Sequence, residues 1–585
     1  MTIRETTFAT VNAKKLSATQ VADSFVEPAS FSKIASSDHC FIVGPRGSGK
    51  TTLLRMVTGP SLMAWTATNA ESVRTSIDYA AIFLPADQLW ASQVGKERAN
   101  AVFAVQMLYA LVETMMYRAG QSSADSVHLP VEITAGQESE IVSHCEQLWG
   151  VSARVPSFLG LLNALDLKLG QLSDGVDLGA IAGENSLELL TRGIRAFNRI
   201  VGEGERRWAL LLDEMELAPP RIHNDVHAFV RGGAPELILK ISMSPFDLYM
   251  DSYGAGRGPV PGHDFQVVYL ADHSRKEATR LTEGLWAGLL RERGMPFVSL
   301  AKALGSSQIA PDIGAGSLSD GDAELVVQRA YEADRDFAQW LDSRGIALGD
   351  LAELSYNARS ATVRKVVPLL IFRDSVLGSM GTGLARRRSR KKRFEPFTGA
   401  QAVVSILEGN PRWIKIAFTH MLESFDNRTR TVPAPAQFSA LQELAMRFEA
   451  LLRVLPSRSA NDPGGMQVTH LVDSVGRYFS SRALGAFVPD PPGTFSVDDG
   501  LPKSVMDSLV LGLYAGAFYH VRSHDSPAIL SSFYGQRFRL SYLLALRDGS
   551  EFPLRKGKVV QLSRILYTVG GSEEFLMEPL DLEGG

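Results

Sequence analysis

The chain is poor in cysteine and has no excess of charge of one sign. Its two cysteines, Cys40 and Cys145, cannot form a disulfide framework or a cysteine-based zinc site in a chain of 585 residues, which favours a reducing cytoplasm. Lys and Arg number 60 against 64 Asp and Glu, so the formal net charge is -4. The chain is therefore no polycation, and any contact with nucleic acid has to come from a local patch.

Long apolar runs and metal-ligand spacings are also missing. Residues 1–20 lack the apolar segment of a signal peptide, and the longest uncharged apolar run, Ser508 to Val521, is too short to cross a bilayer. The 11 histidines show no spacing such as His-Glu-x-x-His. We therefore expect a cytoplasmic protein without a membrane partner.

What the sequence does contain is a series of short apolar runs separated by helical patterns. Short strands that are buried on both faces favour a parallel sheet covered by helices, which is an α/β fold. The predicted strands are His39–Val43, Tyr79–Leu84, Trp208–Leu212, Leu237–Ser242 and Phe265–Leu270.

Two loop-like segments predict the domain boundaries. Residues 305–317 are rich in Gly, Ser and Ala, and the segment from Thr431 to Pro435 is rich in proline. The predicted domains are an α/β core over 1–317 with a helical insertion over about 90–205, a helical lid over 318–430, and a C-terminal domain over 431–585. In the last of these, helices precede a predicted hairpin with strands at Arg537–Leu546 and from Phe552, which is the outline of a winged-helix domain.

A glycine-rich turn between the first strand and a helix is the strongest motif. It matches the phosphate-binding pattern G-x-x-x-x-G-K-[ST] at every fixed position, in the strand–turn–helix context that the pattern requires. Glycines let successive N–H groups surround phosphates, and the helix N-terminus adds its positive dipole end. Lys50 would reach the terminal phosphates and Thr51 would ligate Mg²⁺, so the sequence predicts a site for a nucleoside triphosphate with Mg²⁺. The predicted nucleotide-binding residues of this loop are Gly44, Pro45, Arg46, Gly47, Ser48, Gly49, Lys50, Thr51 and Thr52.

Polar residues follow two further predicted strands. Asp213 would hold the metal through water and Glu214 would polarise the attacking water, although an apolar strand can also end in solvated acids. Glu216 has no predicted role. Ser242 and Ser244 end the fourth strand, where a small polar side chain would orient the water; a serine that bonds only locally is the alternative.

The segment Gly409-Asn410-Pro411-Arg412 opens a predicted helix in the lid. Arg412 would contact the terminal phosphate, so the position of its helix would depend on whether that phosphate is present. A capped helix with a solvated arginine is the alternative.

In this order, the motifs resemble those of the AAA+ ATPases, most closely the origin-recognition and initiator branch. The resemblance covers roughly Phe25 to Phe425, with Ser242 to Ser244 as first sensor and Gly409 to Arg412 as second sensor. It implies a P-loop AAA+ parallel-sheet core with a large helical insertion, a helical lid and a C-terminal winged-helix domain, and it implies ATP hydrolysis as a conformational switch. The segment Phe25 to Phe31 looks like the lead-in that contacts the base. The chain is also similar to bacterial ATPases found beside phage-defence genes, which implies antiviral defence and a partner effector protein.

The resemblance further implies a homo-oligomer in which an arginine reaches the neighbour's nucleotide. The region before the fifth strand points to Arg257, which is flanked by glycines. Arg231, before the fourth strand, is the alternative.

The densest charge is the run Arg386 to Arg393, with seven cations in eight positions. It would bind DNA through phosphates in a salt-dependent manner, or it is a solvated loop. The winged-helix domain is a second candidate for DNA binding, although such domains also bind proteins; its basic residues are Arg537, Arg539, Arg547, Arg555, Lys556 and Lys558. Two classes therefore remain: an ATPase acting on or at DNA, and a signalling ATPase that binds only protein partners.

Overall fold

Contacts in the computed structural model divide the chain into two units. The first comprises Met1–Gly44, Gly49–Leu270 and Ala528–Ser531, and the second comprises Pro45–Ser48, Ala271–Pro527 and Ser532–Gly585. The structure describes residues 13–87, 90, 96–124, 126–174, 185–246, 259–271, 274–307, 320–345, 356–377, 395–455, 466–523, 526 and 529–570. The domain boundaries predicted from the sequence stay a prediction.

A five-stranded parallel sheet lies at the centre of the first unit. Its strands are β1 (Cys40–Val43), β2 (Tyr79–Leu84), β3 (Arg207–Leu212), β4 (Leu237–Met243) and β5 (Gln266–Tyr269). They are ordered β2-β3-β4-β1-β5, with Ile42 opposite Ser242 and Leu212 opposite Ile241. Since parallel strands bring their carboxyl ends to one edge, the loops after β1, β3 and β4 meet there. The predicted α/β class is confirmed.

Helices cover both faces of this sheet. The evidence is that successive residues of β3 pack in different apolar clusters, one on each face. Leu210 and Leu212 pack in one cluster, and Ala209 and Leu211 in the other. The helices are α1 (Ala18–Asp23), α2 (Phe31–Ala35), α3 (Lys50–Met56), α4 (Gly59–Ala64), α5 (Ala70–Ser76), α6 (Lys96–Arg118), α7 (Ala135–Trp149), α8 (Phe158–Asp174), α9 (Ser186–Val201) and α10 (Pro220–Gly232). Short 3₁₀ helices span Ala13–Lys15 and Met215–Leu217.

The predicted insertion between β2 and β3 is helical, as expected. Helix α6 packs against α8 and helix α7 against α9, and all four contribute to the apolar cluster that also contains Trp208 of β3. The insertion therefore shares the core of the sheet. Within α6, residues Arg98–Arg118 are long and apolar enough to cross a membrane, and 72% of the most apolar window is buried inside the protein, which is also the property of a core helix.

The second unit is mainly helical and carries a smaller mixed sheet. Its helices are α11 (Arg275–Glu292), α12 (Leu300–Leu304), α13 (Asp320–Ala333), α14 (Arg335–Asp342), α15 (Tyr356–Val376), α16 (Ala400–Leu407), α17 (Pro411–Glu423), α18 (Ala434–Arg453), α19 (Val468–Leu484), α20 (Lys503–Ala515) and α21 (Leu562–Gly570). Its strands are β6 (Pro492–Ser496), β7 (Phe518–His520), β8 (Arg537–Leu540) and β9 (Lys558–Gln561), in the order β7-β8-β6-β9. The 3₁₀ helices are Glu395–Phe397 and Tyr542–Leu546.

The C-terminal domain has helices and two antiparallel strand pairs, β7–β8 and β6–β8, but the predicted hairpin is wrong. Strand β8 ends at Leu540, and it pairs with the earlier strand β7. Residues Tyr542–Leu546 form a 3₁₀ helix that the Ser541 hydroxyl caps. Leu543 to Leu546 are all buried, so this run lacks the apolar–polar alternation of a half-buried strand.

A buried ion pair links α16 to β8 within the second unit. Glu408 ends α16 in the left-handed conformation with φ 52°, and its carboxylate accepts hydrogen bonds from Arg539, from the Ser541 hydroxyl at 2.6 Å and from the Tyr542 N–H at 3.3 Å. The Arg539 guanidinium lies 4.6 Å and 4.5 Å from the ring centres of Tyr519 and Tyr542. The pair therefore fixes the end of α16 to the segment Arg539–Tyr542.

We expect Arg539→Met to lower the free energy of unfolding of the second unit by about 3–5 kcal/mol, because it leaves the Glu408 carboxylate buried without its counter-charge. Arg453→Met is the matched control, since the Arg453 side chain is 67% exposed where it pairs with Glu449, and it should cost less than about 1 kcal/mol. Urea and thermal midpoints measure the two effects. Equal shifts in the two variants would contradict the assignment.

Candidate nucleotide site

The loop between β1 and α3 has the backbone of a phosphate-binding turn. Gly49 precedes α3 with φ 93°, a conformation that side chains disfavour. Helix α3 begins at Lys50, so its unpaired N–H groups lie at the loop. The Lys50 side chain is buried and donates to the Gly44 carbonyl at 2.6 Å.

Asp213 lies at the centre of a hydrogen-bond cluster in the first unit. The Thr51 hydroxyl lies 2.9 Å and 3.1 Å from its two carboxylate oxygens, and the Ser242 hydroxyl donates to Oδ1 at 2.7 Å. Burial, and then the charge of Glu214, raise the pKa of the Asp213 carboxyl, while the hydrogen bonds and Lys14 oppose that shift. The loops after β1, β3 and β4 thus converge on one carboxylate.

Glu214 has a strained backbone. Its φ is 51°, in the left-handed region that costs a residue with a side chain roughly 1–3 kcal/mol. The Glu214 N–H donates to the Ser242 hydroxyl at 2.8 Å, and the 3₁₀ turn Met215–Leu217 follows directly. The Ser242 hydroxyl therefore donates its proton to the Asp213 carboxylate and accepts a hydrogen bond from the backbone N–H of Glu214.

Glu216 and Ser244 form a second link between the ends of β3 and β4. The Ser244 N–H donates to Glu216 Oε2 at 3.2 Å, whereas the Ser244 hydroxyl bonds to the Phe246 carbonyl. Burial raises the pKa of Glu216 to about 7. Of the two predicted sensor serines, only Ser242 has its hydroxyl on the acids.

A lysine that belongs to none of the sequence motifs contacts the same two acids. Lys14, in the 3₁₀ helix Ala13–Lys15, places its ammonium 3.2 Å from Glu214 Oε2 and 3.9 Å from Asp213 Oδ2. The pair Lys14-Lys15 is typical of a solvated surface, so the sequence held no signal for this contact.

The second unit holds the tip of the loop, Pro45–Ser48. The Arg46 N–H donates to the Tyr514 carbonyl at 2.7 Å, and Asn410 Nδ2 donates to the Arg46 carbonyl at 3.2 Å. A Cβ on Gly47 would lie 2.9 Å from Asn410 Oδ1, so this close approach requires glycine.

Asn410 also caps helix α17. Its Oδ1 accepts from the N–H groups of Arg412 and Trp413 at 3.1 Å and 3.3 Å. Asn followed by Pro at the start of a helix is a recognisable cap signal, but the contact with Arg46 could not be read from it. The predicted contact of Arg412 with a terminal phosphate stays a prediction.

The residues present fit a nucleoside triphosphate with Mg²⁺. The Ser48 hydroxyl is buried without a hydrogen-bond partner in the described part of the chain, at the turn where phosphate would lie. Thr51 and Asp213 offer the oxygen ligands that Mg²⁺ prefers, and Lys50 offers a cation. Across the described residues no group of three or more His, Cys, Asp or Glu could hold a metal.

Other predicted site residues lie elsewhere or are not described. Thr52 is the third residue of α3, and Arg231 is exposed in the last turn of α10. Arg257 and the run Arg386 to Arg393 lie outside the described residues. Phe25, in the predicted base-contacting segment, packs on Phe31 and Trp65 at ring-centre distances of 4.9 Å and 5.5 Å.

The sheet order and the clustered loop, acids and serine define a P-loop protein of the AAA+ class. Within that class, the chain belongs to the ORC-CDC6-like family, whose model matches residues 6–562. No curated protein sequence matches the chain significantly.

Two solved structures are among those similar to the chain. The crystal structure of Cdc6p from Pyrobaculum aerophilum has 10% identity and a TM-score of 0.26, over 88% of this chain and 85% of that one. The Aeropyrum pernix Orc1 protein in complex with DNA has 12% identity and a TM-score of 0.28, over 90% and 93%. At these TM-scores the family assignment rests on the family model.

We expect Ser242→Ala to lower ATP turnover roughly 10- to 100-fold, the loss that follows from removing a hydrogen bond to a charged group worth about 1.5–3 kcal/mol. Nucleotide affinity should change little, because the phosphate loop is untouched. Ser244→Ala is the matched control and should keep turnover within about twofold, since its hydroxyl bonds to a carbonyl. Steady-state ATPase assays compare the two, and an equal loss in both would reject the special role of Ser242.

Proposed function

We propose that the protein is a Mg²⁺-dependent ATPase that uses hydrolysis as a conformational switch. The observation that carries the proposal is the Ser242–Asp213–Thr51 cluster at the N-terminus of the phosphate-loop helix. A hydroxyl, a buried carboxylate and a lysine beside a helix N-terminus are the groups that P-loop ATPases use on phosphates. Membership of the ORC-CDC6-like family supports the same assignment.

Each residue has a distinct task in this proposal. Lys50 and the N–H groups of the loop bind the phosphates, and Thr51 and Asp213 hold Mg²⁺, which would neutralise phosphate charge. Glu214 accepts the proton of the attacking water. Ser242 fixes both acids by bonding Asp213 Oδ1 and the Glu214 N–H.

Two variants separate binding from hydrolysis. Lys50→Ala should severely weaken ATP binding, because the terminal phosphates lose their main cation.

Glu214→Gln should bind ATP normally but hydrolyse it at least ~100-fold more slowly, because the proton acceptor is gone. Calorimetry measures affinity and phosphate release measures turnover. Wild-type affinity in the first variant would overturn the phosphate-loop assignment, and wild-type turnover in the second would move the base elsewhere.

An arginine from a neighbouring subunit completes the site in this proposal. Family membership supports a homo-oligomer in which Arg257, or otherwise Arg231, reaches the adjacent nucleotide. Arg412 acts as the second sensor, and the Asn410 cap that orients its helix supports that role.

We further propose that the protein acts on or at DNA through the run Arg386 to Arg393. The alternative basic surface is weaker, because the structure engages several of its cations internally. Arg539 pairs with Glu408 and Arg547 with Glu449 and Asp473, while Arg555 donates to two backbone carbonyls. Membership of a family named for origin recognition agrees with a DNA partner.

Replacing Arg390, Lys391, Lys392 and Arg393 with Gln should weaken DNA binding uniformly across sequences. The slope of log affinity against log salt should become shallower by up to about 0.9 for each phosphate that the variant no longer neutralises. The control replaces Lys556 and Lys558 with Gln. Fluorescence anisotropy at several salt concentrations measures both variants, and a loss of binding in the control alone would place the DNA contact in the C-terminal domain.

A cytoplasmic signalling ATPase that controls a partner effector, as in a phage-defence system, is the second candidate. The observation that favours it is helix α8 of the insertion, where the large apolar side chains of Leu159 and Leu167 are 60% and 59% exposed. Exposed apolar side chains on one helix offer a contact surface for a protein partner. Nucleotide-dependent co-purification of an effector protein, without DNA binding, would favour this candidate over the first.

A further inference from the structure

Lys14 is the feature of the acid cluster that the proposed reaction does not use. Its ammonium lies 3.2 Å from Glu214 Oε2 and 3.9 Å from Asp213 Oδ2. The Lys14 side chain is 27% exposed, against 0% for Asp213 and 24% for Glu214. The pair is therefore partly shielded from solvent, where ion pairs are stronger than on an open surface.

The position of Lys14 is fixed by the segment that carries it. The Leu16 carbonyl accepts from Arg55 Nη1 at 2.6 Å, and Arg55 belongs to α3, the helix that Lys50 opens. Ser17 and Gln20 form a reciprocal cap at the start of α1. Val21 of α1 is fully buried in the apolar cluster beneath. The chain on the C-terminal side of Lys14 is thus anchored to the phosphate-loop helix and to the core.

Two adjacent carboxylates repel each other unless a cation lies near them. Lys14 supplies that charge through its ammonium, which lies close to an oxygen of each acid, and Mg²⁺ would supply it through Thr51 and Asp213. Both cations use Asp213, so each weakens the binding of the other. While Lys14 contacts Glu214, it also occupies an oxygen that the attacking water needs.

We propose that Lys14 is a positioning residue that holds Glu214 and competes with Mg²⁺ for the acid pair. This inference rests on the proposed ATPase function, because it assigns Mg²⁺ to Thr51 and Asp213. Binding of the metal would then displace Lys14, and the N-terminal segment that carries it, from the two acids.

The test measures the Mg²⁺ concentration for half-maximal binding of a fluorescent ATP analogue by the full chain. Lys14→Met keeps the apolar stem and removes the charge, and it should lower that concentration at least about fivefold, since one unit charge about 4 Å away has an effect of that size even in bulk water. Lys14→Arg should keep the wild-type value. Lys15→Met is the matched control, since Lys15 is the exposed neighbour, and it should also stay at the wild-type value.

A second readout uses Mg²⁺ alone and no nucleotide. Thermal unfolding of the wild type and of Lys14→Met is followed as Mg²⁺ is added, and the variant should gain stability at lower Mg²⁺. In the Glu214→Gln background the effect of Lys14→Met should shrink, because the nearer carboxylate has lost its charge.

The outcomes separate this inference from the proposed function. A wild-type Mg²⁺ requirement in Lys14→Met, or an equal effect of Lys15→Met, overturns the role of Lys14 while the ATPase stands. Weaker nucleotide binding with lower kcat in Lys14→Met also overturns it, and makes Lys14 a phosphate ligand. A wild type that binds no ATP at any Mg²⁺ concentration refutes the proposed function, and the Mg²⁺-only readout still decides on Lys14.

Discussion

The hydroxyl of Ser242 is the group on which the rest of the acid cluster depends. It donates to Asp213 Oδ1 and accepts from the Glu214 N–H, so it fixes a side chain and a backbone amide at once. It can do so because β4 lies between β3 and β1 in the sheet. A different strand order would leave the acids of β3 and the loop of β1 without a shared neighbour. The relative positions of these groups are thus set by the topology of the sheet.

Strain at Glu214 follows from the same arrangement. The chain turns sharply after Asp213 into the 3₁₀ helix Met215–Leu217, and Glu214 takes up the turn with φ 51°. Such a conformation persists only where the surroundings fix it. Two links between the ends of β3 and β4 do so, from Ser242 to the Glu214 amide and from the Ser244 amide to Glu216. The result is a carboxylate held at the edge of the sheet, where the proposed water attack takes place.

Sequence reasoning reached the parts of this site that follow from local patterns. The phosphate loop and the acids after β3 occupy a strand–turn–helix and a strand end, which short-range periodicity and glycine spacing reveal. The roles of Lys14 and Asn410 could not be found this way, because each contacts residues hundreds of positions away, as Lys14 does with Glu214 and Asn410 with Arg46. The predicted hairpin failed for a related reason. Strand β8 lies between β7 and β6 and pairs with both, so a strand following the turn at Asp548 and Gly549 had no free edge of β8 to join.

Charge in the C-terminal domain shows the limit of counting residues. The sequence has six cations near β8 and β9. Their total charge alone would predict a phosphate-binding surface. Arg539 is instead enclosed by two tyrosine rings and paired with Glu408, while Arg537 donates to the Thr494 hydroxyl and the Gly557 carbonyl. A guanidinium with several donors can satisfy backbone carbonyls and a carboxylate together, which suits arginine to interior joints. The Glu408 carboxylate offsets the charge of Arg539, and Arg537 already uses donors on neutral acceptors, so neither guanidinium is well placed to bind a phosphate. The run Arg386 to Arg393 has one serine and no acid among its eight positions. No carboxylate within the run can therefore pair with its cations.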